Sequence, residues 1–374
     1  MKKVMLVFGT RPEAIKMCPL VQELQCGAEF EVVVCVTGQH REMLHQVLEA
    51  FHVKADYDLA VMQDSQTLFD ITGEILGSIR MVLEKEQPWI VLVHGDTSTS
   101  FTAALACFYM KIPVGHVEAG LRTYDIYSPF PEEFNRQAVG LISRYHFAPT
   151  EFAKESLLRE GKKRETIYVT GNTVIDALKT TVREDFTHPE LEWAEAGKMV
   201  LLTAHRRENI GEPMENIFRA VYRAVQDYPD IRVIYPVHKN PSVRRIAEHY
   251  FGNVERVHMI EPLDVIEFHN FLSRCYLVLT DSGGIQEEAS ALGRPTLVMR
   301  DMTERPEGLA AGTLRLAGTG EEEIYQNIKY LLENKEEYQK MCYAKNPYGN
   351  GDASMKIKNI LRSEILKEEG GIGR

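Results

Sequence analysis

The chain has 374 residues, which at about 150 residues per domain allows two or three domains and excludes a single small module. Hydrophobic residues make up 44% and charged residues 26%, ordinary globular proportions that exclude a disordered or collagenous chain. With 43 Lys and Arg against 54 Asp and Glu, the net charge of −11 repels a nucleic-acid backbone or an anionic membrane; it still leaves room for a small anion held in a local basic pocket.

The first apolar run, 3–8, is too short for the core of a signal peptide and is shaped like a buried strand, so the protein is expected in the cytosol. Further β-branched or apolar runs follow at 31–36, 89–94, 113–117 and 145–148, separated by segments 11–24, 41–51 and 67–83 that carry helical spacing. After a turn at Val169-Thr-Gly-Asn172 the rhythm resumes with 199–203, 231–235, 256–260, 276–280 and 295–299, again alternating with helical stretches. A helix is expected at 321–333, a turn at Asn346-Pro-Tyr-Gly-Asn-Gly351, a last amphipathic helix near 354–366, and a frayed end at 370–374. Nothing approaches the roughly 20 apolar residues of a membrane span, the longest candidate being 103–110. Six cysteines without a C-x-x-C pair and 12 histidines without H-E-x-x-H predict reduced thiols and no metal.

Strands that alternate with helices argue for parallel sheets covered on both faces, and two such sets argue for two Rossmann-like, doubly wound α/β domains. The expected division is 1–170 and 171–353, with the boundary near Gly171 and the C-terminal helix within 354–374 joined to the first domain. The polar clusters sit at the carboxyl ends of the predicted strands. Gly9-Thr-Arg-Pro12, Thr37-Gly-Gln-His40, His94-Gly-Asp-Thr97 and Glu118-Ala-Gly-Leu-Arg122 do so in the first half; Ala204-His-Arg-Arg-Glu-Asn209, Val237-His-Lys-Asn240, Asp281-Ser-Gly-Gly284 and 300–308 do so in the second. Ligands bind at that edge of open α/β sheets, so two such edges facing each other would make a cleft with one shared site.

Thr280-Asp-Ser-Gly-Gly-Ile-Gln-Glu-Glu288 reads as a strand end, a glycine turn and a helix start, a mouth that attracts phosphate, with Glu288 about one turn in where it could accept ribose hydroxyls. The plainer alternative is an ordinary start, with Ser282 capping and Glu287 and Glu288 near the dipole. Gly9-Thr-Arg-Pro-Glu-Ala-Ile-Lys16 sets Arg11 and Lys16 at a second helix mouth, or merely as a solvated pair; it is neither a dinucleotide fingerprint nor a P-loop, so neither NAD nor ATP hydrolysis is implied. Asp96, Glu118, Glu132 and Glu133 form an acidic set suited to general acid and base work. A favourable charge in the first turn after Pro131 is the better account of at least one of the last two. His205, Arg206 and Arg207, with His238, Lys239 and Arg305, concentrate donors that suit a diphosphate.

These motifs, together with His116-Val-Glu-Ala-Gly-Leu-Arg122, Pro131-Glu-Glu-Phe-Asn-Arg136 and Arg300-Asp-Met-Thr-Glu-Arg-Pro-Glu-Gly308, run in order from about Lys3 to Ala353 and resemble the bacterial non-hydrolysing UDP-N-acetylglucosamine 2-epimerases. The resemblance implies a GT-B arrangement of two Rossmann-like domains, a cytosolic homodimer, and no metal or other cofactor. It also implies interconversion of UDP-N-acetylglucosamine and UDP-N-acetylmannosamine through elimination and re-addition of UDP, with the product feeding cell-wall, capsule or surface-antigen synthesis. By position it gives Asp96, Glu118 and Glu132 proton transfer, and His205, Arg11 and Lys16 the departing diphosphate. Ser282, Gly283 and Gly284 would hold phosphate, Glu288 the ribose, Phe268 the uracil neighbourhood and Arg305 the far side of the pocket. Some members bind a second UDP-N-acetylglucosamine as activator, which Gln39, Arg206 and His238 would match. Ser65 and Glu42 stand where activator-dependent members often have Arg and Gln, which removes a cation and adds an anion near a diphosphate. The rival readings are a hydrolysing 2-epimerase, a GT-B glycosyltransferase and a non-enzymatic nucleotide-sugar sensor; the acid/base set disfavours the last two.

Overall fold

The computed structural model describes residues 1–38, 41–61 and 66–371, with only the backbone of Arg41, Glu42, Arg207, Gly370 and Gly371. The chain divides into two compact units, Met1–Thr180 together with Tyr348–Arg374, and Thr181–Pro347.

In the first unit, β1 (Lys2–Phe8), β2 (Phe30–Val36), β3 (Tyr57–Asp58), β4 (Ile90–His94), β5 (Val114–Val117), β6 (Tyr145–Ala148) and β7 (Ile167–Val169) form one parallel sheet in the order β3-β2-β1-β4-β5-β6-β7. Val4, Met5, Leu6, Val7 and Phe8 are all fully buried, because a parallel strand covered on both faces needs a continuous apolar run rather than alternation. The register sets Leu6 against Val34 on one side and Leu92 on the other. The strand order reverses between β1 and β4, so the loops that follow these two strands diverge and leave a crevice at the carboxyl edge.

The second unit repeats this plan. Its strands β8 (Lys198–Thr203), β9 (Ile231–Pro236), β10 (Val257–Ile260), β11 (Leu277–Thr280), β12 (Thr296–Val298) and β13 (Leu314–Leu316) are parallel in the order β10-β9-β8-β11-β12-β13. The reversal falls between β8 and β11. Phe218, Tyr235 and Phe251 pack one face of this sheet, the Phe218 and Phe251 rings lying 5.0 Å apart.

The α/β class and the doubly wound organisation are thus as expected, and each run predicted as a strand is one. The strands not foreseen, β3, β7 and β13, are two or three residues long and lie at sheet edges, too short to show a period. The boundary between the units falls between Thr180 and Thr181, at the end of the helix that follows the turn at Gly171, rather than at the turn itself. That helix, Thr173–Thr181, is tied to the returning chain: Asn172 N donates to the Tyr348 carbonyl (2.8 Å), Lys179 Nζ donates to the Gly351 carbonyl, and Asp176 accepts from the Ala353 and Ser354 backbone N–H groups (3.2 and 2.8 Å). Both crossings therefore stay with the first unit.

The last helix, Ala353–Gly371, is longer than expected and extends into the segment read as frayed. It packs on the helix Arg11–Gln25. Lys358 pairs with Glu23 (3.2 Å), Arg362 with Glu29 (3.1 Å), and Glu364 accepts from the hydroxyls of Tyr145 and Tyr168 (both 3.1 Å). Leu361 is fully buried on this helix. Leu361→Ala should therefore lower the unfolding free energy by about 2–5 kcal/mol, read as a drop in the urea midpoint at unchanged slope; an unchanged midpoint would show that the helix adds nothing to the core.

Candidate active site

The loops after β1 and β4 meet through Glu13, which is 2% exposed. It forms a capping box with Thr10, taking the N–H groups of Gly9 (3.0 Å) and Thr10 (2.8 Å) on one oxygen and the hydroxyls of Thr97 (2.7 Å) and Ser100 (3.1 Å) on the other. Gly9 is fixed by close approach: a Cβ there would lie 2.0 Å from Thr37 Oγ1 and 2.5 Å from Thr99 Oγ1. Its role is packing between strand ends. Pro12 and the capping box start the helix that carries Lys16, as the sequence pattern implies.

Lys16 forms an ion pair with Glu118, and His94 Nε2 lies 2.9 Å from the same Glu118 Oε2. All three side chains are largely buried. Glu118 sits at φ +61°, a left-handed conformation that a non-glycine residue adopts at a cost and that is frequent at functional sites. Asp96 takes a two-pronged contact from Arg136, Nε at 2.8 Å and Nη2 at 2.7 Å, and its carbonyl accepts from Asn135 Nδ2 (2.9 Å). The helix Glu132–Ile142 supplies those donors and also separates its two leading glutamates. Glu133 is fully buried and accepts from Thr123 N (3.0 Å), Tyr124 N (3.1 Å), Gln137 (2.9 Å) and Arg136 (3.3 Å), so it is a structural clamp. Glu132 is half-buried with no partner among the described residues. Arg11 stands half-buried at the first position of its helix.

Beneath this edge two histidines lie side by side on β5 and β6, His116 in register with His146. His116 Nε2 donates to the Gly95 carbonyl (2.7 Å), beside Asp96. Burial pushes His116 down to about 3 and His146 down to about 4.

In the second unit the switch point joins the loops after β8 and β11. Asp281, fully buried, accepts the backbone N–H groups of His205 and Arg206 (both 2.9 Å) and Asn209 Nδ2 (3.1 Å) on one oxygen. The His205 and His238 rings stack with centroids 5.5 Å apart and planes 11° apart; burial and the neighbouring His205 hold His238 below its ordinary value. The helix Gly283–Ala291 begins at Ser282, whose hydroxyl makes no capping bond, so the capping alternative for Ser282 does not hold. Among the described residues a Cβ on Gly284 would meet nothing within 4 Å, which leaves the backbone there reachable by an anion. Glu288 lies one turn in, its Oε2 3.6 Å from His269 Nε2, and His269 Nδ1 is 2.7 Å from the Thr181 hydroxyl. Phe268 packs half-buried against the apolar cluster around Phe271 and Leu272.

The expected basic lining is largely neutralised. Arg305, 6% exposed, is ion-paired with Glu287, which gives Glu287 a partner in place of the dipole contact read from the sequence. Arg206 lies 3.5 Å from Glu304 and 3.9 Å from Glu208. Of the activator candidates, Gln39 and Ser65 lie outside the described residues, and no side chain is described for Glu42. All six cysteines are free thiols. Among the described residues no group of three or more His, Cys, Asp or Glu side chains could hold a metal ion, and no helix is long and apolar enough to cross a membrane.

Residues 22–362 match the family model for UDP-N-acetylglucosamine 2-epimerase. The UDP-N-acetylglucosamine 2-epimerase of Bacillus subtilis is 59% identical over 96% of this chain and 94% of its own. The chain belongs to the UDP-N-acetylglucosamine 2-epimerase family. Among solved structures, the UDP-GlcNAc 2-epimerase from Neisseria meningitidis bound to UDP-GlcNAc matches with a TM-score of 0.90 at 48% identity, over 96% of this chain and 100% of that one. The enzyme from Methanocaldococcus jannaschii in complex with UDP-GlcNAc and UDP matches with a TM-score of 0.81 at 34% identity, over 96% and 99%.

Sequence patterns assign no role to Glu13, His94, Arg136, His269 or Asp281, yet these side chains hold the family motifs in place. Glu13, Arg136 and Asp281 stand within the family motifs and His94 opens another; the nearest sequence signal is that His94 lies two residues from Asp96 and Arg136 four from Glu132. Arg122, the end of one motif, is a structural residue that grips Glu160 at 2.6 and 3.0 Å.

His116 gives a prediction. A histidine whose folded value of about 3 lies below its ordinary 6.5 contributes stability that is complete above pH 6.5 and is lost as pH falls toward 3, because only the unfolded chain takes up the proton. His116→Gln should therefore flatten the fall of melting temperature from pH 6.5 to 4, and proton uptake on unfolding should drop by about one; an acid limb identical to wild type would refute this.

Proposed function

We propose that the chain interconverts UDP-N-acetylglucosamine and UDP-N-acetylmannosamine by eliminating UDP to 2-acetamidoglucal and adding it back with the C2 proton delivered to the opposite face. The C2 proton has no neighbouring carbonyl, so direct abstraction is prohibitive. When the C1–O bond breaks, its electron pair leaves on the β-phosphate oxygen of UDP. The C2 proton then departs, and its pair closes the C1=C2 double bond. Return to the epimer delivers a proton to the other face of C2 and re-forms the C1–O bond. Two faces call for two proton carriers, and a leaving diphosphate calls for donors.

The observation that carries this reading over a glycosyltransferase is the group of carboxylates at the carboxyl edge of the first sheet. Asp96, Glu118 and Glu132 are the proton-transfer set, with Arg136 orienting Asp96, and Lys16 and His94 orienting Glu118. On the resemblance of the motifs, the leaving diphosphate is assigned to His205, Arg11 and Lys16. The open mouth at Ser282, Gly283 and Gly284 takes phosphate, Glu288 takes the ribose hydroxyls, Phe268 lines the uracil end, and Arg305, paired with Glu287, backs the pocket. The bound ligands of the Neisseria and Methanocaldococcus relatives support the nucleotide assignment. We extend the reading to a cytosolic homodimer whose product feeds cell-surface polymers, on the resemblance of the motifs, with Arg206 and His238 as the described members of an activator site.

Incubation with UDP-N-acetylglucosamine in deuterated water should give the manno isomer with deuterium at C2 and no accumulating UDP, seen by NMR. Accumulating UDP with free N-acetylmannosamine would replace this reading by the hydrolysing one, and absence of exchange would remove both. Asp96→Asn and Glu118→Gln should each lower kcat about 10²–10⁴-fold; a variant with wild-type turnover takes that residue out of the chemistry.

A further inference from the structure

Asp281 has one oxygen that is fully used and one that is not. Its Oδ2 accepts three N–H donors and so fixes the loop after β8, a loop also held where the Tyr235 hydroxyl donates to the Ala204 carbonyl (2.8 Å). Its Oδ1 is buried and has no hydrogen-bond partner among the described residues. A carboxylate oxygen in that state is costly unless a donor can reach it. The imidazole Nδ1 of His205 lies 3.6 Å away, beyond a hydrogen bond but within a small shift of one. Contacts of this kind at an active site commonly tighten in the complex with substrate. The ring has little other freedom: His205 stacks on His238, and His238 is itself fixed where its Nδ1 accepts from Asn240 N (3.1 Å). On the outer side the His205 side chain remains 40% exposed.

We propose that Asp281 is the positioning residue of His205. Its Oδ1 accepts the Nδ1–H, which selects that tautomer and leaves Nε2 as the outward nitrogen. When Nε2 takes a proton from solvent on its exposed side, the imidazolium stays paired with the buried carboxylate and serves as a donor to the departing diphosphate. Asp281 touches no substrate in this scheme and acts only through His205. The inference rests on the reading of His205 as the diphosphate's partner.

Asp281→Asn tests it. The amide oxygen can still accept the three loop donors, while the amide NH₂ now faces Nδ1 and donates to it, so the His205 proton must move to Nε2. Nitrogen-15 NMR of the histidines, with His205 assigned by comparison with His205→Gln, should show the Nδ1–H form in wild type and the Nε2–H form in Asp281→Asn. The variant's kcat should fall on the order of 10²–10⁴-fold while KM changes less than about threefold. Asp281→Ala, which removes the loop anchor as well, should raise KM too. The same His205 tautomer in wild type and Asp281→Asn would overturn the proposal, as would Asp281→Asn matching Asp281→Ala in raised KM, because Asp281 would then be a loop anchor alone. Wild-type turnover in His205→Gln would instead defeat the role given to His205, with the tautomer change in Asp281→Asn standing or falling on its own.

Discussion

Parallel pairing is the constraint on which the site depends. In a sheet whose strands all run one way, every carboxyl end reaches the same edge, and every loop that follows a strand begins there. The polar residues of this chain lie just past those ends, so a single topological fact gathers Arg11, Asp96 and Glu118 in one unit and His205, Asp281 and Gly283 in the other. Strand order then decides which loops have room. Reversal between β1 and β4, and between β8 and β11, opens the crevice beside the loops that carry these groups.

Holding charged groups at such an edge has a cost, and the structure meets it with partners. Lys16 with Glu118 and Arg305 with Glu287 are largely buried pairs. Burying a pair adds little stability by itself, yet loss of one member leaves an uncompensated charge and is strongly destabilising. These contacts therefore fix geometry more than they stabilise the fold. They also alter the electrostatic picture drawn from composition: the cations at the site are already matched by carboxylates, as Arg206 is by Glu304. Beside His205, the second unit offers an anion neutral donors, the hydroxyl of Ser282 and the N–H groups of the helix behind it. Neutral donors can hold a diphosphate in one step of a reaction and release it in another without a large change in net charge.

The longer strands were legible because a doubly covered strand must be continuously apolar, and Val4-Met-Leu-Val-Phe8 can be little else. Strand order was not legible, since it is set by pairing between residues such as Leu6 and Leu92 that are distant in sequence. The short edge strands Tyr57–Asp58 and Leu314–Leu316 bury too little to leave a pattern. At the site, position after a strand end marked the right loops, but residue type could not separate a clamp from an exposed acid. Glu132 and Glu133 are adjacent and chemically alike; only the four donors around Glu133 and the absence of a described partner at Glu132 distinguish them. Asp281 was hidden for the same reason, because its work is done through contacts with residues more than 70 positions away.

Gly284 shows how an empty place can carry information. Glycine is unfavourable in a helix by about 1 kcal/mol relative to alanine, and it is usually explained by a left-handed backbone or by crowding. Neither applies to Gly284: it is not among the positive-φ glycines, and an added Cβ would meet nothing within 4 Å. Gly9, by contrast, is fully accounted for by two threonine hydroxyls. A residue that a methyl group would fit without strain, at a helix start whose first N–H groups have no intrahelical partner, marks space that the described residues do not use. The bare backbone there suits close approach by an anion, which is the property a phosphate-holding mouth requires.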